Sequence, residues 1–294
     1  MAKRKPKKSI FIACEGTNTE PLYFENIREI EEDIEEYPYS ITIYPDRECD
    51  VNPKTDALGL VNVAIEAKNN YDEVWVVFDK DGYTKHKEVF ELAEANSVNI
   101  AFSSISFETW VLLHFERNNN QFIKSANIIN EKFINNEAYL INYNKTGDFN
   151  VYPYLSERIE IAYQNAAWVR KVSKEHNIFD NNPYTNVDIL VKHLTLNNTV
   201  NQYLKLDEAI ELNKIKFKFF ENKGMIFLSL ENNSESSFVT NSIKLYSMVN
   251  NVLSIRNTLI RVDVEIEITL FKLGEYQTIF MKFGNQLIEV DCGV

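Results

Sequence analysis

"IFIACEGTNTEPLYF", residues 10–24, stops a short apolar run on a glutamate, Glu15. Glycine follows at once, and a second acid, Glu20, stands just ahead of Pro21. The run from Ser9 to Cys14 is apolar on consecutive residues, as a strand covered on both faces must be. Proline in a first turn then starts a helix at Thr19. Leu22, Tyr23, Ile27, Ile30 and Ile34 recur at three- and four-residue steps among acids, which predicts an amphipathic helix.

The alternation continues. "SITIY" (40–44), "EVWVVF" (73–78) and "VNIAFS" (98–103) read as strands. Leu58 to Ala67, residues 84–95 and "FETWVLLHFE" (107–116) read as helices. Strand and helix in strict succession predict a mainly parallel four-stranded sheet with helices on both faces. Right-handed crossovers put every strand's carboxyl end on one edge. Residues 121–198 read as a mostly helical extension, clearest at "SERIEIAYQNAAWVRKVSKE" (156–175).

The texture changes near residue 200. "IKFKFF-ENKG-MIFLSL" (215–230) predicts a hairpin turning at Asn222-Lys223-Gly224. "RVDVEIEI" (261–268) alternates, predicting one two-faced strand, and "YQTIFMKF" and "QLIEV" add others. The expected division is a basic tip (1–8), an α/β core (9–120), the helical extension (121–198) and a smaller β-rich domain (199–294). The last is expected to close its own sandwich rather than to pair with another subunit, although homo-oligomerisation stays open.

Net charge is −12, yet five of the first eight residues are basic. The acid excess lies in residues 9–198, with 31 acidic against 16 basic side chains. Such a chain repels phosphate at long range. It will not coat nucleic acid unaided; a polyanionic substrate would need metal ions, a local basic patch or a partner. Cys14, Cys49 and Cys292 form no paired motif, and His86, His114, His176 and His193 have no metal-ligand spacing, so the histidines read as structural or surface residues. No apolar run approaches the roughly 18 residues of a membrane span. The basic start meets too short an apolar stretch for a signal peptide. A cytoplasmic protein without membrane contact is expected.

In open α/β sheets the working edge is the one beyond the strands' carboxyl ends. Glu15 ends the first strand there, and Asp79 and Asp81 end the third. Residues i and i+2 of an extended segment point the same way, so Asp79 and Asp81 are expected to face one spot. Converging carboxylates suit Mg²⁺ or Mn²⁺. The alternative is plain: Asp-x-Asp-Gly is ordinary turn composition, and an acid in a first helical turn answers the helix dipole.

With these motifs the chain resembles the Toprim domain of topoisomerases, primases and OLD-type nucleases, where a glutamate follows the first strand and Asp-x-Asp the third. More closely, E-G-x-x-T-E-P-x-Y-F, Asp-x-Asp, "SFETWVLLHFE" (106–116), "NAAWVR" (165–170) and "NPYTNVDILVKHL" (182–194) resemble the RloB-like proteins of restriction and abortive-infection loci, relatives of AbiL-type effectors. The resemblance implies Glu15 as metal ligand or acid/base, Asp79 and Asp81 as metal ligands, and Glu20 as a further ligand among the catalytic residues. It implies Glu108 as a ligand, against a simple first-turn acid, and Lys145 of "NYNKTGD" as a charge neutraliser, against a solvated loop lysine. Trp110, Leu112, Leu113 and Phe115 read as core. The activity implied is a Mg²⁺-dependent (or Mn²⁺-dependent) nuclease cutting DNA or RNA, including tRNA, as a toxic anti-phage effector. An ABC/AAA-type ATPase encoded nearby is the implied partner. The alternatives are a non-enzymatic subunit regulating such an ATPase and, further off, primase-like oligonucleotide synthesis.

Overall fold

The computed structural model describes residues 6–34, 36–47, 56–134, 136–145, 149–196, 200–212, 214–233, 238–249, 252–262, 265–272, 278–283 and 286–292. The chain divides into two compact units, Met1–Asn197 and Asn198–Val294.

The first unit is built on a five-stranded sheet. Its strands are β1 (Lys8–Cys14), β2 (Tyr39–Tyr44), β3 (Glu73–Asp79), β4 (Asn99–Ser104) and β5 (Tyr184–Thr185), in the order β2-β1-β3-β4-β5. The first four run parallel, as expected, and β5 is antiparallel to β4. Helices α1 (Thr19–Glu32), α2 (Ala57–Ala67), α3 (His86–Ala95) and α4 (Phe107–Leu112) alternate with the strands. The apolar runs of β1 and β3 are explained by a core on each face. Ile10, Ile12, Cys14, Trp75 and Val77 pack with Tyr23, Phe24 and Ile27 of α1 and Phe107, Trp110 and Val111 of α4. Phe11, Ala13, Val74, Val76 and Phe78 pack with Leu60, Val61 and Ala64 of α2 and Val89 and Ala93 of α3. Trp110, Leu112, Leu113 and Phe115 are buried, as a core reading requires.

Three expectations need correction. Ile30 and Ile34 do not belong to the buried stripe of α1; they are 51% and 52% exposed, because the core contact of that helix ends at Ile27. The helix after β4 stops at Leu112, since the chain turns through Leu113 to Phe115. The extension is less helical than its sequence suggests. It holds the short α5 (Ser125–Ile128), continued by a π-helical turn at Ile129–Phe133, then α6 (Tyr152–Leu155), α7 (Ile159–Val172) and α8 (Val187–Leu194). Residues 136–145 follow an irregular path, and β5 returns to the sheet.

The second unit has a five-stranded and a four-stranded sheet, ordered β11-β10-β13-β14-β6 and β12-β9-β8-β7. The strands are β6 (Val200–Lys205), β7 (Ala209–Leu212), β8 (Ile215–Asn222), β9 (Met225–Asn232), β10 (Phe238–Val249), β11 (Val252–Val262), β12 (Glu265–Lys272), β13 (Thr278–Phe283) and β14 (Gln286–Asp291). One core takes Phe217, Phe219 and Leu228 from one sheet and Leu245, Met281 and Ile288 from the other, so the unit closes its own sandwich. The predicted hairpin is β8–β9, and Lys223 and Gly224 both take positive φ (51° and 75°) at its two-residue turn. "RVDVEIEI" is not one strand. Arg261 and Val262 end β11 beside β10, whereas Glu265 begins β12 beside β9, so the chain passes from one sheet to the other within that stretch. Residues 263 and 264, and the side chains of Val262, Ile266 and Ile268, lie outside the described parts.

Among the described residues no helix is long and apolar enough to cross a membrane. Cys14 and Cys292 are free and buried, and Cys49 lies outside the described residues.

The "NAAWVR" and "NPYTNVDILVKHL" stretches form one lock. Arg170 of α7 donates to the Thr185 carbonyl of β5 at 2.7 Å and, through both Nη atoms, to the buried Asp188 of α8, at 2.9 Å for Nη2. Lys192 reaches the same carboxylate at 3.3 Å. Removing Arg170 leaves the fully buried Asp188 carboxylate with only the partly exposed Lys192 as counterion. Arg170→Ala is expected to lower unfolding free energy by about 3 kcal/mol; denaturant titration checks it, and a loss below about 1 kcal/mol speaks against the lock.

Candidate functional site

The strand order sets β1 beside β3, so Glu15 and Asp79 leave neighbouring strands at the same edge. Glu15 extends the ladder by one step, its N–H donating to the Val77 carbonyl at 2.9 Å. Its side chain turns back across the strand ends, and Oε2 accepts the Asp79 N–H at 2.7 Å. That bond favours the carboxylate, yet burial, the largest influence, and the charge of Glu20 push the Glu15 pKa up to about 7.

Gly16 explains itself through Glu20. A Cβ on residue 16 would lie 2.1 Å from Glu20 Oε2, so only glycine admits the carboxylate folded over it. Glu20 opens α1 but is 4% exposed, too buried for a solvated helix-dipole acid. Asp79, the last residue of β3, is 7% exposed. Glu108, in the first turn of α4, is fully buried. Its Oε1 accepts the Tyr143 hydroxyl at 2.7 Å and its Oε2 the Lys145 ammonium at 3.2 Å. The Tyr143 hydroxyl also lies 3.4 Å from Thr19 Oγ1, tying the irregular segment to the start of α1.

These groups act on one another. Asp79 is pushed far above the usual carboxylate range, by burial first and then by Glu20, with Lys145 opposing and Glu108 and Glu15 adding. Glu20 rises too, through burial and Glu108, again with Lys145 opposing. Burial disfavours the Lys145 ammonium, but Glu108, Asp79 and Glu20 outweigh it and raise its pKa. Lys145 is therefore a charged, half-buried counterion and not a solvated loop lysine.

Asp81 stands apart. β3 ends at Asp79, and the chain turns at once, with the Tyr83 N–H on the Lys80 carbonyl at 3.3 Å and Gly82 at φ +74°. The alternation of an extended strand therefore fails to aim Asp81 with Asp79. Asp81 is exposed at the rim, accepts Ser125 Oγ at 3.3 Å, and still raises the Glu15 pKa slightly. Among the described residues no three acidic, histidine or cysteine side chains are grouped so as to hold an ion as they stand. Glu15 and Glu108 bind N–H, O–H and ammonium donors instead.

Tyr143 escaped the sequence reading, although it stands two residues before Lys145 in "NYNKTGD". His86, buried beside the Phe78 and Phe179 rings, hydrogen-bonds the Asp79 backbone and has a lowered pKa from burial. His114 is buried and lowered to about 3 by desolvation. Both are structural, as expected. Of the basic tip, Lys8 is held by Glu73 at 2.7 Å and Lys7 lies 5.8 Å from the Tyr37 ring centroid; residues 1–5 lie outside the described parts.

Fold and site together define an α/β protein with acids gathered at the carboxyl edge of a parallel sheet and a β-sandwich unit behind it in sequence. The chain belongs to the RloB-like protein family, whose model matches residues 10–194. No curated protein matches it. Likenesses among solved structures are faint. A Clostridium difficile β-sandwich protein is 9% identical, covers 32% of this chain and 95% of its own, with TM-score 0.17. CapF with 3-isopropenyl-tropolone is 10% identical over 93% of this chain and 94% of its own, at 0.26. Staphylococcus aureus homoserine dehydrogenase is 14% identical over 95% and 73%, at 0.23. Scores this low establish no common fold.

Because native Glu15 keeps its proton up to about pH 7 while the unfolded chain releases it near 4.5, this group withdraws stability as pH rises through that window. The melting temperature in EDTA is expected to fall between pH 5 and pH 8, and to fall less in Glu15→Gln; equal slopes would refute the assignment. Gly16→Ala is expected to displace the Glu20 carboxylate and cost about 1–3 kcal/mol by denaturant titration.

Proposed function

We propose that this protein is a Toprim-type, Mg²⁺-dependent nuclease (Mn²⁺ serving as well) acting as a toxic effector in anti-phage abortive infection. Its substrate would be DNA or RNA, tRNA included. Membership of the RloB-like family supports the defence setting. The observation that carries the chemistry is the meeting of Glu15, Glu20, Asp79 and Glu108 around Lys145. The donor set fits a hard cation, since oxygen ligands with excess negative charge suit magnesium. Glu15, Asp79 and Glu108, with Asp81 at the rim, would hold it. When bound, the ion supplies charge neutralisation on phosphate oxygens and a more acidic attacking water.

The chain's own groups divide the remaining work. Water adds to phosphorus as the bond to the leaving oxygen breaks, and a carboxylate of the cluster accepts or relays its proton. Lys145 offers fixed positive charge to the phosphate. Glu20, buried over Gly16, keeps the local field negative and holds the cation in place. Tyr143 keeps its proton and positions Glu108.

A second reading is a non-enzymatic subunit docked on an ABC/AAA-type ATPase. The observation that favours it is that the carboxylates of Glu15 and Glu108 already have protein donors. Under the first reading such an ATPase is still a partner, and it would help an acidic chain to hold a polyanion. Purified protein with Mg²⁺ or Mn²⁺, alone and with its neighbouring ATPase, is offered plasmid, single-stranded DNA and total tRNA. Cleavage is expected, reduced about a hundredfold or more in Asp79→Asn, Glu15→Gln and Lys145→Ala. Cleavage that survives all three changes disproves the site, and none from wild type favours the docking subunit.

A further inference from the structure

The segment that carries Tyr143 and Lys145 also walls a cavity of about 310 Å³, within the range of small-ligand pockets. Four aromatic rings line it, with Leu140, Ile141 and the acid Glu137 among them. Phe115 and Tyr139 stack at 4.8 Å with planes 20° apart, and Phe149 and Tyr154 stack at 5.4 Å and 15°. Arg158 lies over the Phe115 ring at 5.2 Å, and the exposed Asn142 joins the lining. Tyr154 is 54% exposed, so a large ring is offered to the outside instead of being packed away.

Flat rings with a guanidinium and an amide at hand suit a flat, polar-edged heterocycle. Every nucleobase has a π-face to stack on such rings, and arginine adds a cation–π contact. The cavity is coupled to the acids. The Phe149 ring contacts Tyr143 at 5.7 Å, and the Tyr143 hydroxyl donates to Glu108. Two side chains, Phe149 and then Tyr143, therefore link a group in the cavity to Glu108 of the carboxylate cluster.

We propose that this cavity receives an unpaired base of a single-stranded or looped nucleic acid, stacked against Tyr154 and Phe149, while the strand runs on toward the acidic edge. The inference rests on the nuclease reading and narrows its substrate to strands with accessible bases. A base inside a regular duplex cannot reach such a cavity without unstacking.

The test uses the full chain with Ca²⁺, which offsets the acidic charge in place of Mg²⁺, together with a short fluorescent single strand carrying 5-iodouracil or the duplex of the same sequence. Anisotropy is expected to show single-strand binding that exceeds duplex binding. Tyr154→Ala should weaken it about tenfold, and Tyr154→Phe should preserve it. Irradiation should attach the strand to Tyr154 or Phe149, mapped by mass spectrometry. Unchanged affinity in Tyr154→Ala, or adducts only outside residues 137–158, overturns the inference. So does the absence of any binding by wild type, which leaves the cavity to an aromatic side chain of a protein partner. The nuclease reading fails separately: binding and adducts intact with no Mg²⁺-dependent cleavage sinks that reading alone. Asp79-dependent cleavage with normal binding in Tyr154→Ala sinks this inference alone.

Discussion

Four carboxylates cannot share one largely dry edge of a sheet unless protons or cations offset their charge. Glu15, Glu20, Asp79 and Glu108 meet this constraint with Lys145 and with retained protons, which is why Glu15, Glu20 and Asp79 all rise above their ordinary range. The arrangement is expensive for folding. Under the nuclease reading proposed above, the acids in excess of their counterions are a place kept for a cation.

The surrounding structure maintains this crowding. Putting β1 beside β3 fixes Glu15 next to Asp79, and the bond from the Asp79 N–H holds the two strand ends in register. α1 brings Glu20 over Gly16, and α4 brings Glu108 in from the next strand. The irregular segment then returns Tyr143 and Lys145 to the cluster, and the Arg170–Asp188 lock secures α7, β5 and α8 beyond it. The family match covers this whole assembly, residues 10–194, and stops where the sandwich begins.

Much of this was legible in the sequence, for a physical reason. Strands covered on both faces must be apolar throughout, and β1 and β3 could be recognised by that alone, together with the acids that end them. Glu15 and Asp79 could be singled out because they stand where apolar strands end, whereas Glu20, Glu108 and Lys145 are named from the family resemblance of their motifs. What the sequence hid depended on tertiary placement. Ile30 obeys helical spacing yet faces outward, because α1 outruns the core it packs on, and Ile34 lies beyond the end of that helix. Asp81 obeys strand spacing, but the strand has ended. Arg261 to Ile268 alternates perfectly and still spans two sheets, since alternation records burial on one side and not which partner strand lies there. Tyr143 carried no signal beyond proximity to Lys145, because a buried hydroxyl donor is invisible until its acceptor is located.

The most direct measurement is calorimetric titration of Mn²⁺ into the intact protein near pH 6.5, in two buffers of different ionisation enthalpy. Retained protons must leave when a cation takes their place. The account predicts saturable binding with net proton release in wild type, and loss of both in Asp79→Asn. Binding without proton release that Asp79→Asn leaves unchanged, or no binding at all, would contradict it.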